Sequence, residues 1–183
     1  MNYRQLASAA ALCSASLFAQ AETFTLTSPD IEHGEPMSKV FEYQGFGCSG
    51  DNLSPALQWE NPPEGTNFYA IFAYDPDAPT GSGWWHWQVI NIPASTTHIV
   101  RGAGSIDSEK LPQKARQIRN DYGEHAFGGA CPPVGHGPHR YQFTVYALPQ
   151  ALDLPKGASA ALTGYMVNAN ALASSTLETT YER

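Results

Sequence analysis

Two stretches of the chain gather side chains that can move protons and bind anions. The first runs Asp75-Pro76-Asp77-Ala78-Pro79 and on through Gly83-Trp84-Trp85-His86-Trp87; the second runs Gly128-Gly129-Ala130-Cys131-Pro132-Pro133 and on through His136-Gly137-Pro138-His139-Arg140-Tyr141. Imidazoles titrate near neutral pH, offer two addressable nitrogens, and become anion donors when protonated. Tyr141 adds a phenolic donor, and the backbone N–H groups of Gly128-Gly129 and of Gly135 to Gly137 could converge on an anion as a nest. Asp75 can orient a histidine or bind an ammonium group. Pro76, Pro79, Pro132, Pro133 and Pro138 fix loop angles, which lowers the entropy lost when a ligand binds. This chemistry suits a small anionic or zwitterionic head group and calls for no cofactor.

Each residue also has a plainer role. Asp75 and Asp77 could cap a turn, the better reading for Asp77, and a single strand histidine is more often a satisfied core group. Two histidines, each at a joint between loop and strand, weigh toward a pocket. A zinc site from Cys131, His136 and His139 matches no common structural spacing and lies in a turn, so no metal is expected. A hydrolase with His86 or His139 as general base and Asp75 as its orienter is the alternative to a binding module. It lacks a nucleophile, because Ser82 sits in a glycine loop with no elbow motif and Cys131 has another use. We therefore expect a binding protein rather than an enzyme.

The elements that must position these residues read mostly as strands. Phe68 to Tyr74 is an unbroken apolar run ended by Asp-Pro, as expected of a buried central strand that delivers Asp75 and Asp77. Trp85 to Ile92 follows; by simple alternation His86, Gln88, Ile90 and Ile92 share one face and Trp85, Trp87 and Val89 the other. Tyr141 to Ala147 alternates cleanly and places His139 and Tyr141 on the buried side with Arg140 pointing away. Shorter strands are expected at Glu22 to Ser28, Val40 to Tyr43, Leu57 to Trp59, Ala115 to Arg119 and Thr176 to Tyr181. The one helix, Ala158 to Ser174, presents a stripe of alanines with Leu162, Tyr165, Met166 and Leu172. Many short strands and a late helix give an antiparallel β-sandwich with a peripheral helix.

The same motifs resemble the two signature regions of the phosphatidylethanolamine-binding protein family. Asp-Pro-Asp-Ala-Pro with Trp-His, and Cys-Pro-Pro with Gly-Pro-His-Arg-Tyr, carry the likeness. Cys48 to Pro55 and Arg119 to Gly123 extend it over nearly the whole chain. The bacterial Raf-kinase-inhibitor-like branch of the YbhB/YbcL type is the nearer match, and its periplasmic YbcL-like members the nearest. The resemblance implies a large sheet packed on a smaller one, with a pocket at the edge. It implies that Asp75, Pro79, His86, Pro132, His139 and Tyr141 line an anion or phospho-head-group site, and that Asp77 and Arg140 support it. Trp84 and Trp85 are expected to wall the rim. The segment Glu124-His125-Ala126-Phe127 departs from the family pattern and is expected to bring an acid and an extra histidine near the mouth. Inhibition or modulation of a protein partner is a further implication.

The 183 residues suit one domain preceded by an export leader. Met1 to Gln5 carries one positive charge, Leu6 to Phe18 is apolar and too short to span a bilayer, and Ala19-Gln20-Ala21 reads as a cleavage site. Cleavage after Ala21 leaves a domain of residues 22–183 in the periplasm, with release outside the cell and action on host cells through a surface as a further option. A lipid anchor at Cys13 is disfavoured because Leu12 occupies a position that wants a small residue. Of ten basic residues only Arg4 leaves with the leader, so nine face 17 acidic ones in the mature chain. That balance argues against a nucleic-acid binder, whose affinity needs a clustered basic face, and against adhesion to anionic membranes by charge alone; no stable membrane insertion is expected after the leader. Of three cysteines, Cys13 also leaves; the remaining pair, Cys48 and Cys131, is expected to close as a disulfide in an oxidising compartment, the alternative being two separated thiols.

Overall fold

The computed structural model describes residues 22–183; the expected leader and its cleavage site lie outside the described residues. In chain order the strands are β1 (Thr25–Thr27), β2 (Gln44–Gly45), β3 (Cys48–Ser49), β4 (Leu57–Glu60), β5 (Phe68–Asp75), β6 (Trp84–Pro93), β7 (His98–Ile99), β8 (Arg116–Gln117) and β9 (His139–Leu148). Helix α1 (Ala160–Asn170) and strand β10 (Ala173–Tyr181) complete the chain.

Strand β5 is apolar on both faces because both faces are covered. It lies at the centre of a five-stranded sheet of order β10-β9-β5-β6-β8, antiparallel throughout. One face of that sheet packs on a small sheet, β1-β4-β7, through Leu26, Leu57, Trp59 and Ile99 against Tyr69, Ile71, Trp87, Val89, Phe143 and Val145. On the other face Ala70, Phe72, Ile90 and Leu148 meet Val167 of α1 and the Leu152–Leu154 segment. The sandwich is therefore a large sheet on a small one, with the helix as a third layer.

Three local readings change. Val40 to Tyr43 is not a strand: Lys39–Phe41 forms a 3-10 turn capped by the Ser38 hydroxyl, and the Glu42 N–H closes on the Lys39 carbonyl at 3.0 Å. A local cap outcompeted a short β-like pattern that had only isolated bridging to gain. The turn lays residues 41–43 against Gly129, where a Cβ would stand 2.3 Å from the Phe41 carbonyl oxygen, so this close approach needs glycine.

Strand β6 does not alternate simply. Its register against β5 slips twice, between the Tyr69 and Ile71 pairings and between the Ala73 and Tyr74 pairings, each slip adding one residue to β6. One extra residue falls at His86, between Trp87 opposite Ala73 and Trp85 opposite Tyr74. The other falls beside Asn91, whose φ of 61° is held by a two-way side-chain bond to the Leu152 backbone. As a result Gln88 and Ile90 face the helix layer, where Gln88 donates to the Ala160 carbonyl at 3.1 Å, while His86 sits on the same side as Trp87 and Val89.

Helix α1 buries Ala160, Thr163, Gly164 and Val167 rather than the expected stripe; Leu162 is 39% and Tyr165 71% exposed. Small residues let the helix lie close to the sheet, and a Cβ on Gly164 would come within 3.6 Å of Trp85. Large apolar residues were the wrong marker of the inward face. Val167→Ala is thus expected to destabilise the protein by about 2 kcal/mol in denaturant titration. Leu162→Ala should stay within about 0.5 kcal/mol of the parent.

Candidate functional site

Strands β5, β6 and β9 end at one edge of the large sheet, and each delivers polar groups there. Asp75 closes β5, His86 stands at the bulge of β6, and His139 and Tyr141 open β9. All four are almost fully buried and line one cavity of about 220 Å³. Ala78, Pro79 and Thr80 of the first loop, Cys131, Pro132 and Pro133 of the second, and the rings of Phe46, Trp84 and Tyr122 complete it. The six residues expected to bind ligand are brought together.

Asp75 serves two loops at once. Its Oδ1 accepts the Asp77 N–H at 2.8 Å, the turn-capping role, and its Oδ2 lies 2.7 Å from His139 Nδ1. Since a carboxylate accepts, Nδ1 of His139 carries a proton and its tautomer is set. Nε2 of His139 in turn lies 2.7 Å from Nδ1 of His136. Asp77 accepts from the Arg140 backbone at 2.9 Å and from its guanidinium at 2.8 and 2.9 Å. The Arg140 hydrogen bond holds the Asp77 carboxyl at about 2, as fits a structural support.

His86 is oriented differently. Its Nδ1 faces the carbonyls of Gly128 at 2.7 Å and Gly129 at 3.1 Å, which can only accept, so Nδ1 is protonated. Nε2 is buried and has no protein partner among the described residues, and the same holds for Tyr141 Oη and Trp84 Nε1. Burial pushes the His86 value down, against the pull of the Gly128 carbonyl and of Asp75, so the ring is neutral at pH 7. Burial, and then the charge of Asp75, push the Tyr141 phenol well up, which keeps its O–H a donor.

The glycine nest does not form as expected. The Gly128 N–H donates to the His86 carbonyl at 2.9 Å and the Gly129 N–H to Asn52 Oδ1 at 2.7 Å, so this segment turns carbonyls, not amides, toward the imidazole. The reason is the strand-like path of 128–130, whose amides are consumed by its neighbours. Trp84 walls the cavity but Trp85 does not: on the helix side of the sheet it packs on Phe72 at 5.5 Å and Tyr74 at 4.4 Å. Glu124 and His125 also lie away from the lining. The Glu124 backbone pairs with Asn120, and the exposed His125 ring meets the Gln117 carbonyl at 3.2 Å.

Tyr122 and Phe46 were not singled out by sequence. Tyr122 stacks on Tyr43 at 3.9 Å and donates to the Gly129 carbonyl at 3.0 Å, while Phe46 stacks on Tyr43 at 5.9 Å with 75% of its surface exposed. The only available signal was an aromatic in Gly45-Phe46-Gly47 and another beside Gly123, each in a turn with no strand to pin it. Cys48 and Cys131 form the expected disulfide, with Cα atoms 6.0 Å apart across 83 positions of chain, and so tie the Phe46 turn to the second loop. Among the described residues no group of three or more histidine, cysteine, aspartate or glutamate side chains is placed to hold a metal ion, and no helix is long and apolar enough to cross a membrane.

Comparison with known proteins places this geometry. A family model described as phosphatidylethanolamine-binding protein matches residues 27–182. The YbcL protein of Escherichia coli K12 is 51% identical over 165 residues, 90% of each chain, and YbhB of the same organism is 43% identical over 153 residues, 83% of this chain and 96% of its own. The crystal structure of E. coli YbcL, described as a new member of the mammalian PEBP family, superposes with a TM-score of 0.85 at 50% identity, covering 87% of this chain and 98% of that one.

Two consequences of the site are measurable. Opening the disulfide by replacing Cys48 and Cys131 with serine should cost about 4 kcal/mol of stability, since 83 positions of chain are released in the unfolded state. For His86 the folded value lies below the ordinary 6.5, so the unfolded chain binds the extra proton first. The stability that neutral His86 contributes is full above about pH 6.5 and is lost as pH falls below it toward the folded value. The melting temperature should accordingly drop between about pH 7.5 and 5.5, and drop less in His86→Gln.

Proposed function

The chain belongs to the phosphatidylethanolamine-binding protein family, and from that premise we propose that its cavity takes a small anion or a phospho-head group without transforming it. The observation that carries this reading is the set of three buried, unpartnered polar atoms, His86 Nε2, Tyr141 Oη and Trp84 Nε1, on residues lining one cavity. Each unpaired group costs about 1–3 kcal/mol in the folded protein, a cost that an oxyanion can return at the Tyr141 and Trp84 donors and, with a proton, at His86 Nε2. His86 and Tyr141 lie within reach of one ligand, their rings 5.2 Å apart. The walls offer apolar and aromatic surface around those few polar atoms, as small-molecule sites do.

The state of His86 sets how an anion can enter. Neutral His86 presents a bare lone pair at Nε2, so an anion enters either carrying its own proton or together with one taken up by the imidazole. A protein partner modulated by the occupied pocket belongs to the same proposal, with the exposed Phe46 at the mouth as the surface that occupancy would alter. Export to the periplasm is supported by the closed Cys48–Cys131 bridge, since structural disulfides persist in oxidising compartments.

Calorimetry of the mature protein with acetate, inorganic phosphate and phosphoethanolamine tests the reading. Saturable binding is expected, lost in His86→Ala and weakened about ten-fold in Tyr141→Phe. The Tyr141→Phe variant should melt no lower than the parent, because it deletes a buried hydroxyl that has no protein partner. Acetate affinity should rise as pH falls from about 7.5 to 6, the sign required by proton uptake at His86. Binding that survives in His86→Ala, or none in the parent, would sink the proposal.

A further inference from the structure

The two cavity histidines are not equivalent, and a third histidine makes the difference. His86 holds its Nδ1 proton on the Gly128 carbonyl and leaves Nε2 without a protein partner. His139 holds its Nδ1 proton on Asp75, but its Nε2 is taken by His136 Nδ1 at 2.7 Å, with ring centroids 5.0 Å apart. With that proton fixed, Nε2 of His139 accepts from His136 Nδ1 and is already satisfied.

His136 is poorly anchored apart from this contact. It sits exposed in a turn between Gly135 and Gly137, with φ values of 74° and 85°, and a Cβ on either glycine would meet nothing within 4 Å. The turn is held by backbone bonds from His136 N–H to the Pro133 carbonyl at 3.1 Å and from Gly135 N–H to the Arg183 carbonyl at 2.9 Å. An open turn flanked by left-handed glycines can turn its side chain away without disturbing the core. By contrast the buried Asp75 carboxylate holds the His139 ring in place.

We propose that His136 is a specificity-determining latch, which keeps His139 Nε2 from a ligand until a ligand that brings a hydroxyl able to donate to that nitrogen displaces it. This rests on the reading of the cavity as an anion site. With the latch engaged, His86, Tyr141 and Trp84 remain, enough to meet the two oxygens of a carboxylate. With its proton held at Nδ1, His139 Nε2 presents a lone pair, so a phosphate gains this contact through its own P–O–H, which a carboxylate lacks, and only by breaking the His136–His139 hydrogen bond. The latch therefore penalises phosphate-like ligands and leaves carboxylates to bind the other three groups.

The test compares inorganic phosphate with acetate by calorimetry at one fixed pH, on the parent, His136→Ala and His136→Asn. Asparagine can place a polar atom near the position of Nδ1 and should restore the latch. The ratio of phosphate to acetate affinity is expected to rise about five-fold in His136→Ala, the worth of one competing hydrogen bond, and to return toward the parent value in His136→Asn. In the parent, the 15N resonances of His136 Nδ1 and His139 Nε2 should shift with phosphate and hold with acetate. Acetate binding with an unchanged or lowered ratio in His136→Ala overturns the latch alone and makes His136 a support of His139. Equal tightening of both ligands overturns it as well. If neither ligand binds any of the three proteins, the anion-site reading fails and the latch with it.

Discussion

The buried pairing of Asp75 with His139 is the interaction on which the site depends. It joins the end of the central strand to the start of its neighbour across 64 positions of chain, at 2.7 Å and with both side chains nearly inaccessible. Removing one partner of such a pair would strand the other in a low-dielectric interior, so the two loops are bound to a common geometry. The second carboxylate oxygen extends the same control to the Asp77 turn, and through Asp77 to the backbone and guanidinium of Arg140. Four residues, from the end of β5, the turn after it and the start of β9, thus share one hydrogen-bonded frame beside the cavity.

Much of this was legible because its causes are local. The run Phe68 to Tyr74 has apolar residues on both faces, and only a strand covered on both sides explains that composition. His139 and Tyr141 share a parity that survives in β9, since β9 keeps its register with β5 over seven consecutive pairs. The cysteine pair and the proline-stiffened loops were equally readable from compartment and backbone chemistry. The β6 face could not be read in this way. A bulge is a property of two paired strands, so the extra residues at His86 and near Asn91 leave no mark in the alternation of β6 alone, and simple parity put Gln88 beside a histidine it never faces.

The helix failed for a related reason. Its inward face is chosen by how closely it can approach Trp85 and the sheet, which favours Gly164, Ala160 and Thr163 over larger and more apolar residues. The aromatic rim failed because Tyr122 acts through stacking on Tyr43, 79 positions away, and the same Tyr43 ring carries Phe46 from its own turn. The carbonyls of Gly128 and Gly129 show the same limit. A glycine pair signals close backbone approach, but whether amides or carbonyls face the cavity depends on which partners consume the other group.

The bulge explains why a histidine can be placed in this position at all. A regular β6 would send the residue after Trp85 and the residue after Trp87 to one face, and the polar group would then look into the helix layer with Gln88. The extra residue lets His86 share the inter-sheet side with Trp87, where the carbonyls of Gly128 and Gly129 fix its Nδ1 proton. That fixation points Nε2 away from the backbone, and the surrounding apolar walls keep the ring neutral. A buried imidazole with one nitrogen fixed and the other left without a protein partner is costly to a folded protein. Polar groups this poorly satisfied belong to surfaces made for something else to complete.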